Sequence, residues 1–280
     1  MANPAFEKTD FTSLLKTFVI SAISAIFAYY FVFFLSNYVV IFFAYDFDIP
    51  ASFSIKGISF LTDSIDHPWS RDAIITVLLS KAIFAFILGV ILLFVLMIRT
   101  KKPSAIILLL FWLNVFAFSS SFGELLDDII NKTGIYKAVN SMNIDIAYLI
   151  IMAIILAFFL YKIGMMNGKI IKQYFAIQIF SSLQSRVIFF FSILIIPWLL
   201  EASVTHYFGG NSFSISEVLK NLPVLILLIP FFSKEKVEDL NTKYVLSDRF
   251  LAFNWIITVL LMIISISLIL LMRNEIIISG

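Results

Sequence analysis

The chain contains seven stretches that are too apolar to be stable in water, and this feature limits the fold more than any other. Hydrophobic residues make up 61% of the 280 residues and charged residues 14%, whereas about a quarter of the residues in soluble domains are charged. Such a chain cannot cover its surface with polar groups, so a lipid bilayer must form part of its solvent. The sequence therefore predicts an all-α, polytopic, integral membrane helical bundle.

A helix needs about 20 apolar residues to cross the hydrocarbon core of a bilayer. The predicted spans are residues 17–45, 73–98, 105–122, 144–161, 187–204, 215–232 and 250–272. They leave an outer loop at 46–72 and an inner linker at 162–186, so we treat residues 1–280 as a single membrane domain. The first span is long enough to tilt or to break near Ser36 and Asn37. The sixth span is the weakest, so seven spans are favoured and six are the alternative.

The loop charges predict the orientation. With a cytoplasmic N-terminus, the inner segments hold 13 lysines and arginines and the outer segments hold 6, with Lys81 inside the membrane. Basic residues resist translocation, so this distribution predicts a cytoplasmic N-terminus and an outer C-terminus. The 32 phenylalanines and the abundant isoleucines suggest A/T-rich codons. We accordingly expect a multi-pass protein of a bacterial inner (plasma) membrane.

Three segments between the spans have weaker signals. Residues Phe53–Phe60 are compatible with a small β-hairpin that turns at Lys56–Gly57, although we favour a loop folded back onto the membrane surface and anchored by Trp69. The segment Glu124–Val139 has apolar residues at helical spacing and predicts a short surface helix that stops at Gly134. Residues 170–186 predict either an interface helix or an extension of the fifth span.

Lys81 is the most informative single residue, because it lies about eight residues, or roughly 12 Å, from the outer end of the second span. A bare ammonium at that depth costs several kcal/mol unless it is paired or reaches the headgroups. The turn between spans two and three is very short, so residues equally distant from it lie at equal depth. This places Lys81 level with Glu124 and predicts either an ion pair between them or a lysine that extends alone to the outer surface.

Other polar residues are candidates for a site or for helix packing. Asn114 and Ser119–Ser121 in the third span suggest hydrogen bonds between helices, or a polar cavity beside Lys81. Glu201 follows a predicted kink at Pro197. His206 and His67 fall on the predicted outer side, and with Asp66 and Glu201 they have ligand types that a metal ion accepts, although separate loop histidines are mostly unrelated. We expect no metal and no cofactor.

Known catalytic motifs are missing from the sequence. It has no cysteine, no zinc-protease or nucleophile-elbow motif, and no phosphate-binding or dinucleotide-binding loop. Nothing indicates nucleic acid, which needs a clustered basic face.

We favour a non-enzymatic membrane subunit or scaffold that packs against lipids and a partner membrane protein or a second copy. One alternative is a small-solute or lipid transporter with a polar cavity formed by Lys81, Glu124, Asn114 and Glu201. The other is an intramembrane enzyme that uses His67 and His206.

Overall fold

The computed structural model describes residues 8–61, 69–98, 105–172, 183–209, 215–232 and 254–278. The α-helices are α1 (Lys8–Asp46), α2 (Arg71–Ile98), α3 (Ala105–Asn131), α4 (Gly134–Ser141), α5 (Ile146–Lys172), α6 (Leu183–Phe189), α7 (Ile196–Gly209), α8 (Ile215–Leu228) and α9 (Trp255–Arg273). A π-helical segment, Phe190–Ile195, joins α6 to α7, and a 3₁₀ turn, Ile229–Phe232, continues α8. The strands are β1 (Ala51–Ser54), β2 (Gly57–Phe60) and β3 (Ile276–Ile278).

The predicted all-α membrane bundle is confirmed. Within the described residues, six helical segments are long and apolar enough to cross a membrane: α1, α2, α3, α5, the continuous α6–α7 segment and α9. The protein is therefore a multi-pass membrane protein. The predicted sixth span, 215–232, forms a shorter apolar helix of 14 residues with its 3₁₀ turn, so the count of seven spans stays a prediction.

Helix α8 fits closely between α3 and α5 because each of these helices has a glycine at the contact. A Cβ on Gly123 would lie 2.6 Å from the carbonyl oxygen of Lys220, and a Cβ on Gly164 would lie 2.5 Å from that of Leu227. Such small residues let helix backbones approach each other in membranes. In the 3₁₀ turn that continues α8, the ring of Phe231 contacts Phe111. Helix α8 therefore runs antiparallel to α3 over much of its length.

The π-helical segment has an identifiable cause. Pro197 has no N–H group, so it cannot donate to the carbonyl oxygen of Ile193 four residues earlier. The buried hydroxyl of Ser21 on α1 donates to that oxygen instead, at 2.5 Å. The indole N–H of Trp112 in turn donates to the Ser21 oxygen at 2.9 Å. The predicted kink at Pro197 thus takes the form of a wider helical turn that is bonded to α1.

One end of the bundle carries a three-stranded sheet in the order β2–β1–β3. Strands β1 and β2 form the hairpin considered from the sequence, with Gly57 at a φ of 116° that favours glycine. Trp69 packs edge-on against Phe60 at 4.7 Å between ring centroids. The isoleucines of β3 pair with β1 directly after α9, and this pairing was not predicted. We call this end of the molecule the hairpin end; α1 and α9 both finish there.

Two predicted span ends were wrong, and the first span does not break. The sequence predicted either a tilt of this span or a break near Ser36 and Asn37; α1 is continuous there, and both side chains donate to carbonyl oxygens of the preceding turn. Helix α3 continues past residue 122 to Asn131, and Gly134 begins α4 instead of stopping a surface helix. Helix α5 extends to Lys172, so residues 162–172 are helical and not part of a linker.

Residues 173–182 lie outside the described residues, so the choice between an interface helix and an extension of the fifth span is open for them.

The half of the bundle below the hairpin end has a dense aromatic core centred on α3. Phe111, Trp112, Val115 and Leu108 are completely buried there. They pack with apolar residues of α1, α8 and the π-helical segment in one continuous cluster. We call this region the packed half.

Candidate functional site

A large cavity lies at the hairpin end, between α1, α2, α3, α7 and α8 and beneath the sheet. Its volume is about 1360 Å³, which is larger than the roughly 300–1,000 Å³ of typical ligand pockets. The hairpin contributes Ile58 and Phe60 to the wall. On α3 the lining ends at Phe116, eight residues and therefore about 12 Å below Glu124. The cavity thus extends from the hairpin end well past the depth of Lys81.

The wall is mainly apolar and aromatic. Helix α1 supplies Tyr29 and Phe33, α3 supplies Phe116, and α7 supplies Trp198. Aliphatic residues of α1, α2, α7 and α8 cover much of the remaining surface. The indole of Trp198 donates to the side-chain oxygen of Asn221 at 3.3 Å, which links α7 to α8 across one side of the cavity. Apolar walls with few polar groups are typical of sites that bind organic molecules.

The predicted ion pair between Lys81 and Glu124 is present in this wall. The ammonium of Lys81 donates to Glu124 Oε1 at 2.5 Å, and the two side chains are 18% and 22% exposed. The same ammonium lies 5.7 Å from the centre of the Phe33 ring, within the range of a cation–π interaction. Pairing offsets part of the cost of placing either charge within the membrane region.

A second ion pair lies close by, between α8 and α3. The ammonium of Lys220 on α8 is 3.3 Å from Asp127 Oδ2, with the Asp127 side chain 8% exposed. Asp128 accepts hydrogen bonds from the hydroxyl of Thr133 and the backbone N–H of Ile135, and so fixes the start of α4. These acidic residues at the end of α3 therefore all have donors or a cationic partner.

Glu201 lies in the α7 side of the cavity wall and is 1% exposed. Its Oε1 accepts a hydrogen bond of 2.9 Å from the hydroxyl of Thr205, one turn later on the same helix. The Thr205 hydroxyl also lies 3.4 Å from the Tyr30 hydroxyl on α1. No basic side chain among the described residues forms an ion pair with Glu201, in contrast to Glu124.

The structure brings together three of the four residues proposed as an intramembrane polar site. Lys81, Glu124 and Glu201 line the cavity, whereas Asn114 lies below it in the packed half. The Asn114 amide donates to the carbonyl oxygen of Gly89 on α2 at 2.7 Å and accepts from Asn167 on α5 at 2.7 Å. Asn114 therefore connects three helices and does not face the cavity.

The serines of α3 take part in both helix packing and the cavity wall, the two possibilities considered from the sequence. Ser119 donates to the carbonyl oxygen of Lys220 at 3.2 Å, and Ser121 donates to that of Ala82 at 2.8 Å. These bonds hold α3 against α8 and α2. Ser120 lies between them and lines the cavity together with Ser119.

The two histidines of the proposed enzyme or metal site are only partly described. His206 is exposed and lines the cavity one turn beyond Glu201, whereas His67 and Asp66 lie outside the described residues. Within the described residues, no group of three His, Asp or Glu side chains is placed to hold a metal ion.

Several cavity residues were not singled out from the sequence. Tyr29, Trp198 and Thr205 belong to apolar helices that contain many similar aromatic and small residues. Only the packing of α1 against α7 shows that these three line the cavity. Lys220 offered a usable signal, because it precedes an apolar stretch and its charge needs a partner.

Comparison of the chain with protein-family models, with curated proteins and with solved structures found no match in any of the three.

Proposed function

We propose that the protein transports a small amphipathic solute or a lipid, which it binds in the cavity at the hairpin end. The observation that carries this proposal is the extent of the cavity, which continues past the Lys81–Glu124 pair to Phe116. A protein that only packs against partners has no need of such an opening between its own helices. The mainly apolar wall suits a hydrocarbon body, and its charged residues, four lysines and three acids, suit a polar group.

The cavity is closed on the side of the packed half. Below Phe116, α3 continues with Trp112, Phe111 and Leu108, which are completely buried. A partly open site that is closed toward one half of the bundle fits one state of an alternating-access transporter. Transport would then require the helices around the aromatic core to move relative to each other.

A cavity-filling substitution tests the proposal. Ala202→Trp places a large ring in the wall beside Glu201, and Ala147→Trp is the matched control because Ala147 is exposed on α5 outside the cavity. We expect dodecanol to raise the melting temperature of the purified wild type and of A147W, since a ligand of the folded state stabilises it. It should not stabilise A202W.

In liposomes, the wild type and A147W should move a fluorescent phospholipid between leaflets faster than A202W does. Equal rates for the three proteins, together with equal stabilisation by dodecanol, would contradict the proposal.

The subunit or scaffold function expected from the sequence remains a second proposal, and one observation favours it. In the most apolar stretch of α5 17% of the residues are buried, against 78% in α3. Such an outer face suits lipid tails or the helices of a partner membrane protein or a second copy. Native mass spectrometry of the purified protein in mild detergent tests it, because a stable complex of defined composition supports this function and a monomer contradicts it.

We further propose that the protein belongs to a bacterial inner membrane and crosses it seven times, with a cytoplasmic N-terminus. The distribution of basic residues supports the orientation, and the parallel course of α1 and α9 to the same sheet supports an odd number of crossings. Alkaline phosphatase, which is active only outside the cytoplasm, should be active when fused after Gly280 and inactive when fused before Met1. Equal activity of both fusions would contradict this topology.

A further inference from the structure

The acidic residues around the cavity differ in how their charge is balanced. Glu124 pairs with Lys81, Asp127 pairs with Lys220, and Asp128 accepts two hydrogen bonds. Glu201 is the most buried of these four and accepts one hydrogen bond, from Thr205. A buried carboxylate with a single hydroxyl donor lacks most of the stabilisation that a buried charge requires. The α7 side of the cavity therefore offers a carboxyl group whose positive partner is missing from the described part of the protein.

The surroundings of Glu201 suit a positively charged organic group. Trp198 precedes it by one turn of α7, and Tyr29, Phe33 and Phe116 line the same cavity from α1 and α3. Aromatic faces attract ammonium groups. The cavity already contains one such contact, between Lys81 and Phe33.

We infer that the solute carried by the protein is an amphiphile with an ammonium headgroup, and that Glu201 binds this headgroup. The inference rests on the proposed transport function and specifies its substrate class. The ammonium supplies the charge that Glu201 lacks, and the tail lies against the aliphatic and aromatic wall. The Lys81–Glu124 pair is internally neutral, so it does not compete for the headgroup.

Three probes with the same twelve-carbon tail test the inference: dodecyltrimethylammonium, dodecanol and dodecanoate. Their binding to the purified full-length protein in maltoside detergent is measured as the dependence of the melting temperature on probe concentration. The wild type should bind the ammonium probe at least tenfold more tightly than dodecanol, and dodecanoate more weakly than dodecanol. Trimethylammonium keeps its charge at every pH, so the comparison depends only on the state of the protein.

Glu201→Gln removes the charge and keeps the shape of the side chain. In E201Q the affinity for the ammonium probe should fall at least tenfold, to about that for dodecanol, while dodecanol binding stays unchanged. Glu275→Gln is the matched control, because Glu275 is exposed at the sheet and does not line the cavity. It should behave like the wild type. Glu201→Asp, which keeps the charge, should retain a preference for the ammonium probe.

The outcomes separate this inference from the function on which it rests. If wild-type protein binds all three probes equally, or if E201Q keeps wild-type affinity for the ammonium probe, the inference is wrong and the cavity still binds amphiphiles. If no probe binds to the wild type, the proposed function fails as well. If E201Q does not fold, the wild-type headgroup preference and E201D decide the matter.

Discussion

The two ends of α3 differ in the size of their side chains and in how tightly the neighbouring helices pack against them. In the packed half, Phe111, Trp112 and Val115 fill the space between α1, α5 and α8 completely. At the hairpin end, Ser119–Ser121 and Gly123 are small. Ser119 and Ser121 form hydrogen bonds to the backbones of α8 and α2, and the space that larger side chains would fill is part of the cavity. Side-chain size along one helix therefore determines which half of the bundle is solid and which can hold a ligand.

The packed half and the hairpin end are also expected to contribute differently to stability and to ligand binding. Aromatic packing in the lower half depends on dispersion and complementary shape, which matter more than the hydrophobic effect between helices in lipid. Charged residues gather at the hairpin end, where Lys81, Glu124 and Glu201 face the cavity. We expect substitutions in the packed half to change folding alone, and substitutions at the hairpin end to change binding with smaller effects on folding.

The largest effect is expected for Phe111→Ala in the packed half. Phe111 contacts the rings of Trp112 and Phe231, and removing such a side chain from a filled core costs about 3–5 kcal/mol. Unfolding of the purified variant in mixed micelles measures the loss. Phe159→Ala is the control, because this ring is 56% exposed on α5.

Folded F111A should bind dodecanol as the wild type does. A loss of binding without a loss of stability would contradict the division between the two halves.

A smaller effect is expected for the ion pair at the hairpin end. Lys81→Met leaves Glu124 partly buried without its partner, and Glu124→Gln does the same to Lys81. Each change should cost about 1–3 kcal/mol, less than for a fully buried pair, because both side chains are about one-fifth exposed.

The double variant K81M/E124Q should recover part of this loss, since the two residues interact directly. Simple addition of the two single losses in the same unfolding measurement would show that the pair contributes no coupling energy.

The smallest effect is expected for Ser121→Ala. This change removes one hydrogen bond between α3 and α2, which in membranes contributes about 0.6 kcal/mol on average. The unfolding midpoint should shift slightly, and the affinity for dodecanol should not change. A large drop in affinity would mean that Ser121 contributes to the cavity as well as to helix packing.

The membrane class and the Lys81–Glu124 pair could be predicted from sequence because both follow from length and depth. Apolar stretches of fixed length define spans, and a short turn sets two helices in register. The cavity could not be predicted in this way, because it depends on how α7 and α8 pack against α1 and α3. The hydropathy of Trp198 or Tyr29 is the same whether the residue faces lipid, a neighbouring helix or an internal space.

Helix ends were predicted less well where polar residues lie within a helix. The third span was predicted to end at residue 122, before Glu124, Asp127 and Asp128. Helix α3 continues to Asn131, and Lys81, Lys220 and Thr133 supply partners for these carboxylates. Strand β3 was missed because a three-residue strand is stable only when another strand is already in place. The hairpin of β1 and β2 provides that strand.

The reactivity of introduced cysteines measures the contrast between the cavity and the packed half most directly, since the sequence contains no cysteine of its own. Ser120→Cys places a thiol in the cavity wall, and Ala117→Cys places one three residues earlier on α3 at a completely buried position. A water-soluble methanethiosulfonate reagent should modify S120C at least tenfold faster than A117C, and dodecanol should slow the reaction of S120C. Equal rates for the two positions, or no protection by dodecanol, would contradict an open ligand-binding cavity at the hairpin end.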